Sequence, residues 1–222
     1  MKQKLWIETE PLNKYSESIR SLRESLYARL SGQKNPVIVV SSPHRQDGCS
    51  TLTANLAASI AQSGKRVLLI DGDLTGNGLE NLFQVDSKDG FIQILDGGGG
   101  KIVPSGLKNL DFLPTGAPKA NSHPFDSPRL KEFLNKFQND YDFVLIDTAP
   151  VLESSDIIIL GQNSAGVILV FKAGNFQRED EITSREMLER SGVKIIGAVV
   201  NGIKEKDQDP YYTYQRFLGR NR

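Results

Sequence analysis

Cysteine, histidine and net charge are the scarcest features of this 222-residue chain. A single cysteine, Cys49, cannot form an internal disulfide framework, and such scarcity is typical of a reducing compartment. Since Cys49, His44 and His123 are the only thiol and imidazole groups, the sequence argues against a thiolate or imidazole metal cluster. Lysine plus arginine and aspartate plus glutamate both number 27, so no net field favours nucleic acid or anionic lipid.

Long hydrophobic runs are also missing. No segment approaches the ~20 apolar residues needed to cross a bilayer, and residues 1–15 lack the apolar stretch of a signal peptide. With 38% apolar and 24% charged residues the composition is that of a globular protein, and the length fits one α/β domain. These absences predict a cytoplasmic globular domain.

Residues 37–61, VIVVSSPHRQDGCSTLTANLAASIA, have the pattern of a phosphate-binding P-loop. Four β-branched residues, Val37 to Val40, lead into a polar loop and then into an alanine-rich helix that opens at Gly48. Backbone N–H groups in such a loop point inward, and the helix N-terminus adds partial positive charge. The Ser50 hydroxyl stands where a P-loop normally holds Mg²⁺, with Thr51 beside it. The segment therefore predicts the scaffold of a nucleotide site.

This P-loop lacks its lysine. Cys49 stands between Gly48 and Ser50, where the lysine that contacts the β- and γ-phosphates belongs. Gln46 stands three residues earlier, where a glycine is usual, and a side chain there disfavours the torsions that aim the N–H groups inward. The scaffold of the site is present, and its main cation is missing.

Two predicted strands end in carboxylates. Asp71 and Asp73 follow the buried run Val67 to Ile70, and Asp147 follows Val144 to Ile146. Ligands of open α/β sheets bind at the carboxyl ends of strands, and an aspartate there holds the metal directly or through water. The alternative for each is an aspartate that caps the following turn. Their order after a P-loop favours the functional interpretation.

Residues 12–30 place apolar side chains at helical spacing, and Pro11 suits the helix start. On another face, Glu17, Arg20 and Arg23 form an E-x-x-R-x-x-R series. By spacing alone, this series favours a solvated face with an i,i+3 ion pair worth a few tenths of a kcal/mol.

The rest of the chain alternates between strands and helices. Further strands are predicted at Leu110–Leu113, Val167–Phe171 and Ile195–Val200, and further helices at 128–139 and 178–191. Such alternation predicts parallel strands joined by right-handed crossovers. We therefore expect a three-layer α/β domain in which the P-loop and the strand-end aspartates converge at the carboxyl edge of the sheet.

In this order the motifs resemble those of the bacterial tyrosine kinases (BY-kinases) of capsule and exopolysaccharide assembly. These kinases belong to the deviant-Walker branch of P-loop proteins, which also holds the Min-type and partitioning ATPases. VLLIDGDL resembles their second aspartate-bearing Walker motif, FVLIDTAPVLESSD their Walker B, and DGFIQILDG and LPTGAPKANSHP their middle region. The resemblance covers nearly the whole chain and implies a three-layer P-loop NTPase fold with a mostly parallel sheet.

The resemblance also implies roles for particular residues. ATP or ADP with Mg²⁺ is the implied cofactor. The implied site residues are Asp71 and Asp73 for catalysis; Gly48, Cys49, Ser50, Thr51 and, at the adenine, Asn201 for the nucleotide; Ser50, Asp71 and Asp147 for the metal; Tyr211, Tyr212 and Tyr214 for autophosphorylation; and Glu17, Arg20 and Arg23 for oligomerisation.

The family organisation implies a P-loop kinase-like domain over 1–206 and a mobile tyrosine-containing tail over 207–222. From the residues alone, the tail could equally be an unstructured terminus with chance aromatics. The implied partners are a transmembrane chain-length regulator (co-polymerase) of polysaccharide assembly and further copies of the chain, joined through the N-terminal helix. No nucleic acid is implied, and the implied location is the inner face of the bacterial membrane.

The departures from the family pattern fall at the active centre. Besides the lysine and the glycine, the arginine that the family carries after its D-x-D appears as Thr75. Losing the lysine removes a contact worth roughly 1.5–3 kcal/mol in binding, or more in the transition state. The carboxylates are kept, which leaves the site with too much negative charge for ATP. Arg45 or His44, both in the loop, could compensate.

Cys49 allows two interpretations. A helix N-terminus lowers the pKa of a thiol, which would suit a redox role. Without a second cysteine to resolve an oxidised sulfur, a small inert replacement for lysine is the favoured interpretation.

Three functional hypotheses follow. The first is a degenerate kinase-like module that serves polysaccharide assembly through its oligomer contacts and tail, with weak or no ATP turnover. The second is an active autophosphorylating tyrosine kinase with a substitute cation. The third is a positioning ATPase of the Min or partitioning kind, which would need neither the terminal tyrosines nor the E-x-x-R-x-x-R helix. Titration with nucleotide and Mg²⁺ separates the first two.

Overall fold

The computed structural model describes residues 5–85, 88–117, 123–174 and 177–203. Within these ranges the strands form one sheet in the order β3-β4-β2-β5-β1-β6-β7. The strands are β1 (Val37–Ser41), β2 (Val67–Gly72), β3 (Val103–Pro104), β4 (Leu110–Leu113), β5 (Phe143–Thr148), β6 (Gly166–Lys172) and β7 (Ile195–Asn201). All neighbouring strands pair in parallel except β3, which is antiparallel to β4. The predicted α/β fold with a mostly parallel sheet is confirmed.

Helices cover both faces of the sheet. They are α1 (Trp6–Thr9), α2 (Lys14–Arg29), α3 (Cys49–Gln62), α4 (Gly78–Phe83), α5 (Phe91–Leu95), α6 (Arg129–Asp140), α7 (Asp156–Gln162) and α8 (Arg178–Arg190). The predicted helices at 128–139 and 178–191 each lie within one residue of the observed bounds at either end. None of these described helices is long and apolar enough to cross a membrane.

The N-terminal helix begins later than predicted. It starts at Lys14, and the side-chain oxygen of Asn13 accepts a hydrogen bond from the Ser16 N–H at 2.7 Å. Pro11 lies in the turn between α1 and α2, so the prediction that it starts the helix is wrong. The physical reason is that an asparagine side chain satisfies a free helix N–H, which proline cannot do.

The core has two halves, one on each face of the sheet. Alternate residues of a strand point to opposite faces. In β1, Ile38 and Val40 pack with residues of α2 and α3, whereas Val37 and Val39 pack with residues of α6, α7 and α8. All residues of β1, β2 and β5 are buried, as expected for parallel strands covered on both faces. This packing holds the carboxyl ends of the three strands side by side.

Candidate functional site

The P-loop runs from the end of β1 to the start of α3. Gly48, the N-cap residue of α3, has a φ of 91°, and Gln46 has a φ of 65°. Both residues are in the left-handed region, so glutamine does adopt the conformation that a glycine usually supplies. Gln46 therefore forms the turn that its side chain was expected to disfavour, at a strain on the order of 1 kcal/mol. The loop keeps the left-handed turns that typically form a phosphate-binding nest of backbone N–H groups.

Cys49 is buried at the first residue of α3, and its thiol donates to Asp147. The Cys49 Sγ lies 3.0 Å from the Asp147 Oδ1, which also accepts from the Thr53 hydroxyl at 3.3 Å. Burial raises the pKa of the Cys49 thiol well above its usual value, and the neighbouring Asp147 charge raises it further. These effects outweigh the helix N-terminus, so the thiol stays protonated. The structure therefore favours the inert interpretation over a redox role.

Asp147 is the penultimate residue of β5 and lies beneath the P-loop. Its side chain is buried, and burial raises its pKa to about 6, although hydrogen bonds from Cys49, Ser50 and Thr53 oppose the shift. A lysine at position 49 would place an ammonium group beside this carboxylate. In this chain a neutral thiol takes that place, so no positive charge at position 49 offsets the effect of burial on the pKa of Asp147.

Asp71 lies beside Asp147 on the adjoining strand, where the two residues are register partners. The Asp71 Oδ1 accepts from the Asp73 N–H at 3.1 Å, whereas Oδ2 is buried without a hydrogen-bond partner among the described residues. Burial, followed by the Asp147 charge, raises the pKa of Asp71 well above its usual value. Asp71 and Asp147 therefore meet under the P-loop, and the predicted convergence at the carboxyl edge is confirmed.

Arg45 extends from the P-loop to the loops that follow β2 and β5. Its Nε lies 2.8 Å from the Glu153 Oε2, and its Nη1 lies 3.3 Å from the Asp73 Oδ2. Its Nη2 donates to the Thr75 hydroxyl. Arg45, one of the two residues that could replace the missing lysine charge, thus contacts Thr75. Thr75 is the position at which the resembled kinases carry an arginine. Glu153 was missed, and the available signal was its position in the stretch that follows the Walker B aspartate.

Asp73 is held by the turn that follows it. Its Oδ1 accepts from the Thr75 N–H, the Thr75 hydroxyl and the Gly76 N–H, at 3.0, 2.8 and 3.0 Å. Part of the turn-capping alternative is therefore correct for Asp73. Its second oxygen faces Arg45, so the same carboxylate also belongs to the charged cluster of the site.

Asn201, at the end of β7, contacts the P-loop backbone. Its Nδ2 donates to the Asp47 carbonyl at 3.0 Å, and its Oδ1 accepts from the Gly202 N–H at 2.9 Å. A Cβ on Gly48 would lie 2.1 Å from this Nδ2, so the loop is closely packed against it. Adenine contact by Asn201 stays a prediction, and in this structure its amide positions the P-loop.

His44 pairs away from the aspartate cluster. Its Nε2 lies 2.9 Å from the Asp180 Oδ2 of α8, and this hydrogen bond is the main cause that raises the pKa of His44. The imidazole thus links the P-loop to α8. Of the two cations that the loop offers, Arg45 is the one placed among the carboxylates.

The residues of the site fit Mg²⁺ held together with a nucleotide. The free Oδ2 of Asp71 offers an acceptor for a cation or its water, and Ser50 lies at the start of α3. The described residues contain no cluster of three or more His, Cys, Asp or Glu that could hold a metal by itself. Mg²⁺ commonly takes one or two carboxylates and completes its shell with phosphates and water. Ser50, Asp71 and Asp147 therefore remain the residues that would hold it.

The E-x-x-R-x-x-R face of α2 makes contacts within the chain. Arg20 pairs with Glu17, the i,i+3 pair expected of a solvated face. The Arg23 Nη1 donates to the carbonyl and hydroxyl oxygens of Ser59 on α3, at 3.0 and 3.3 Å. The role of Glu17, Arg20 and Arg23 in oligomerisation stays a prediction. The predicted tail over 207–222, with Tyr211, Tyr212 and Tyr214, lies outside the described residues.

Comparisons with known proteins place this geometry in context. A family model described as "AAA domain" matches residues 37–179. The tyrosine-protein kinase wzc of Salmonella typhimurium is 34% identical over 209 residues, which cover 90% of this chain and 29% of wzc. The solved kinase domain of Escherichia coli tyrosine kinase ETK is 29% identical with a TM-score of 0.87, over 91% of this chain and 81% of that one.

A cell-division ATPase fold is more distantly similar. The septum site-determining protein MinD of Pyrococcus horikoshii, solved with Mg-ADP, is 26% identical with a TM-score of 0.66, over 82% of this chain and 76% of that one. The chain spans less than a third of the length of the curated kinases it matches.

Proposed function

Since the chain belongs to the bacterial tyrosine-protein kinase family of P-loop proteins, we propose that it is a kinase-like module of capsular or exopolysaccharide assembly with impaired use of ATP. The module would act through its oligomer contacts and its tail rather than through rapid phosphoryl transfer.

One observation carries the proposal. The side chain at the lysine position is a buried, protonated thiol that donates to Asp147. Phosphoryl transfer depends on cations that neutralise the charge that develops on the transferring group. Here the carboxylates of Asp71, Asp73 and Asp147 remain, and the central ammonium group is absent. Nucleotide binding is therefore weakened, and transition-state stabilisation is weakened further.

The chain's own residues retain most of the binding geometry. The left-handed turns at Gln46 and Gly48 support a phosphate nest, and Asn201 holds that loop in place. Bound Mg²⁺ would supply charge neutralisation at the phosphates, with Ser50, Asp71 and Asp147 as its protein contacts. Asp73, between its own turn and Arg45, is positioned by two sets of contacts.

The proposed partners follow from the family. They are a membrane-spanning chain-length regulator and further copies of this chain, at the inner face of the bacterial membrane. The ion pair between the exposed Glu17 and the partly buried Arg20 on α2 supports an intersubunit role, because Glu17 could exchange its local contact for one in a neighbour. Sedimentation with the regulator's cytoplasmic segment tests this role, and exclusively monomeric protein at high concentration would contradict it.

Calorimetry with Mg·ATP and mass spectrometry of the tail test the main proposal. We expect a dissociation constant of about 0.1–1 mM and no phosphate on Tyr211, Tyr212 or Tyr214 after incubation of the purified chain. A micromolar dissociation constant together with a phosphorylated tail would establish the second candidate, an active autophosphorylating kinase. That candidate is favoured by one observation, the Arg45 guanidinium beside Asp73.

A positioning ATPase of the Min kind is the third candidate. Its support is the fold shared with MinD, at a lower TM-score than that of the ETK kinase domain. Fold similarity by itself does not carry function.

A further inference from the structure

Arg45 is placed where three loops of the site meet. The residue belongs to the P-loop, Asp73 and Thr75 belong to the loop after β2, and Glu153 belongs to the segment after β5. The guanidinium contacts all three of these side chains with three different nitrogens. An arginine presents a planar set of donors that matches carboxylates and phosphates equally well. The same donors could therefore serve a phosphate group.

Arg45 is surrounded by more acidic side chains than it can neutralise. Asp73 and Glu153 both form their ion pairs with Arg45 in the described part of the chain. Asp71 and Asp147 add two further carboxylates beneath the loop. Without Arg45, a phosphate chain in the nest would face these four acidic side chains, and the other basic residue of the loop, His44, is paired with Asp180 on α8. The thiol of Cys49 gives no compensation because it is neutral.

The present contacts of Arg45 are also exchangeable. Its side chain is 43% exposed, and that of Glu153 is 40% exposed. Ion pairs at such exposure contribute little to stability because water screens them. The guanidinium can therefore leave Glu153 without uncovering the core. Contact with a doubly charged phosphate would offer a stronger partner than a screened carboxylate.

We propose that Arg45 is a phosphate-binding residue of this site, whose guanidinium leaves Glu153 and binds the phosphates of a nucleoside di- or triphosphate in place of the missing lysine. The inference rests on the proposed function, because it names the residue through which the weakened nucleotide site works. Glu153 then acts as a competitor that holds the guanidinium while the phosphates are absent.

The alternative is a structural brace, in which Arg45 holds the loops together and never touches the ligand. The two roles give opposite results for Glu153→Gln. If Arg45 binds phosphate, removing its competitor strengthens nucleotide binding. If Arg45 is a brace, the same substitution loosens the loops and weakens binding or leaves it unchanged.

The experiment measures dissociation constants for Mg·ATP and Mg·ADP by NMR titration of the full chain. We expect Arg45→Ala to weaken binding about tenfold or more, and Arg45→Lys to recover part of that loss, since lysine keeps the charge without the fork. Glu153→Gln should tighten binding about threefold or more. Spectra of each free variant report whether the fold is kept.

A double variant distinguishes competition between Glu153 and phosphate for Arg45 from the general effect of removing a negative charge near the phosphates. Removing the Glu153 charge favours any anion, so Glu153→Gln is also measured in the Arg45→Ala background. We expect a clearly smaller gain there, because no guanidinium is left to release. Arg190→Ala is the matched control, since Arg190 is an exposed arginine paired with Glu186 at 2.7 Å on α8. It should bind nucleotide as the wild type does.

Several outcomes would overturn the inference. They are unchanged binding by Arg45→Ala, weaker or unchanged binding by Glu153→Gln, equal effects of Glu153→Gln in both backgrounds, or no nucleotide binding by the wild type at millimolar concentration. The last of these would leave the proposed degenerate function in place. Rapid phosphorylation of the tail by the wild type would instead overturn the proposed function while Arg45 kept its role.

Discussion

On the sheet side of the site, Asp71, Asp147 and Cys49 lie under the P-loop, whereas on the solvent side Asp73 and Glu153 lie in loops around Arg45. Both sides concentrate carboxylates, but they reduce the charge by different means. On the sheet side burial raises the pKa values of the acids, so protons reduce the charge. On the solvent side a guanidinium does so. The comparison shows that the charge of the carboxylates is reduced in different ways at the two depths of one site.

The largest expected effect is a pH dependence of stability from the sheet side. Burial raises the pKa of Asp147 from 3.8 to about 6. Between these values the folded protein keeps a proton that the unfolded chain has lost. The contribution of Asp147 is therefore fully present below about pH 4 and is lost as the pH rises through 6, with a total near 3 kcal/mol.

Urea unfolding at pH 5 and pH 7.5 measures this dependence. The wild type should be more stable at pH 5, and Asp147→Asn should reduce the difference, because asparagine cannot titrate. Asp71 and His44 also have raised pKa values, so part of the slope should remain in the variant. Identical slopes for the wild type and Asp147→Asn would show that Asp147 does not carry the raised pKa.

The next effect concerns the loop backbone between the two sides. Gly48→Ala should lower the free energy of unfolding by about 2 kcal/mol, because a Cβ is strained at a φ of 91° and would displace the Asn201 amide. Gly64→Ala is the matched control, since Gly64 has a φ of 92° and no atom within 4 Å of its Cβ position. It should lose about 1 kcal/mol. Equal losses would mean that the Asn201 contact contributes nothing.

Cys49→Lys should place an ammonium group among the carboxylates of the sheet side. We expect Mg·ATP to bind about ten- to a hundredfold more tightly in calorimetry, the range of one charge-assisted phosphate contact. Cys49→Met adds length without charge and should give no gain. Because Gln46 already has a left-handed φ, adding Gln46→Gly should produce an additive gain rather than a synergistic one. A strongly synergistic pair would show that glutamine distorts the nest.

The smallest effect belongs to the solvent side. Glu153→Gln should change the free energy of unfolding by less than about 0.5 kcal/mol, because its ion pair with Arg45 is exposed. Urea unfolding at low and high salt measures it. A loss above about 1 kcal/mol would mean that the pair braces the loops, and the contrast between the two sides would then disappear.

Most of the fold could be predicted because its signals are local. Runs such as Val67 to Ile70 are buried on both faces, and they appear as continuous apolar stretches whatever their neighbours are. The start of α2 was missed because Pro11 and Asn13 are both helix-start residues, and the choice between them depends on the Ser16 N–H. The antiparallel β3 was missed because its two residues carry too little pattern.

The sequence predicted which strand-end and P-loop residues form the site, but not all of their partners. Strand-end positions placed Asp71 and Asp147 at one edge, and the gap in the P-loop pattern identified Cys49. Glu153 and Asp180 were missed because they act through partners far along the chain. Arg45 reaches Glu153 across 108 positions, and His44 reaches Asp180 across 136. No periodicity or spacing records such contacts.

The sequence by itself determined the family, the parallel sheet and the replacement of the lysine by Cys49, because these depend on residue type and order along the chain. The tertiary structure decided which partners the charged and polar side chains of the site have. In the folded chain Gln46 has a left-handed φ, and Asn201 hydrogen-bonds to the P-loop backbone. Arg45 forms ion pairs with Asp73 and Glu153. The physical reason is that burial and electrostatic partnership depend on distances between loops, which exist only once the strands that carry those loops lie side by side.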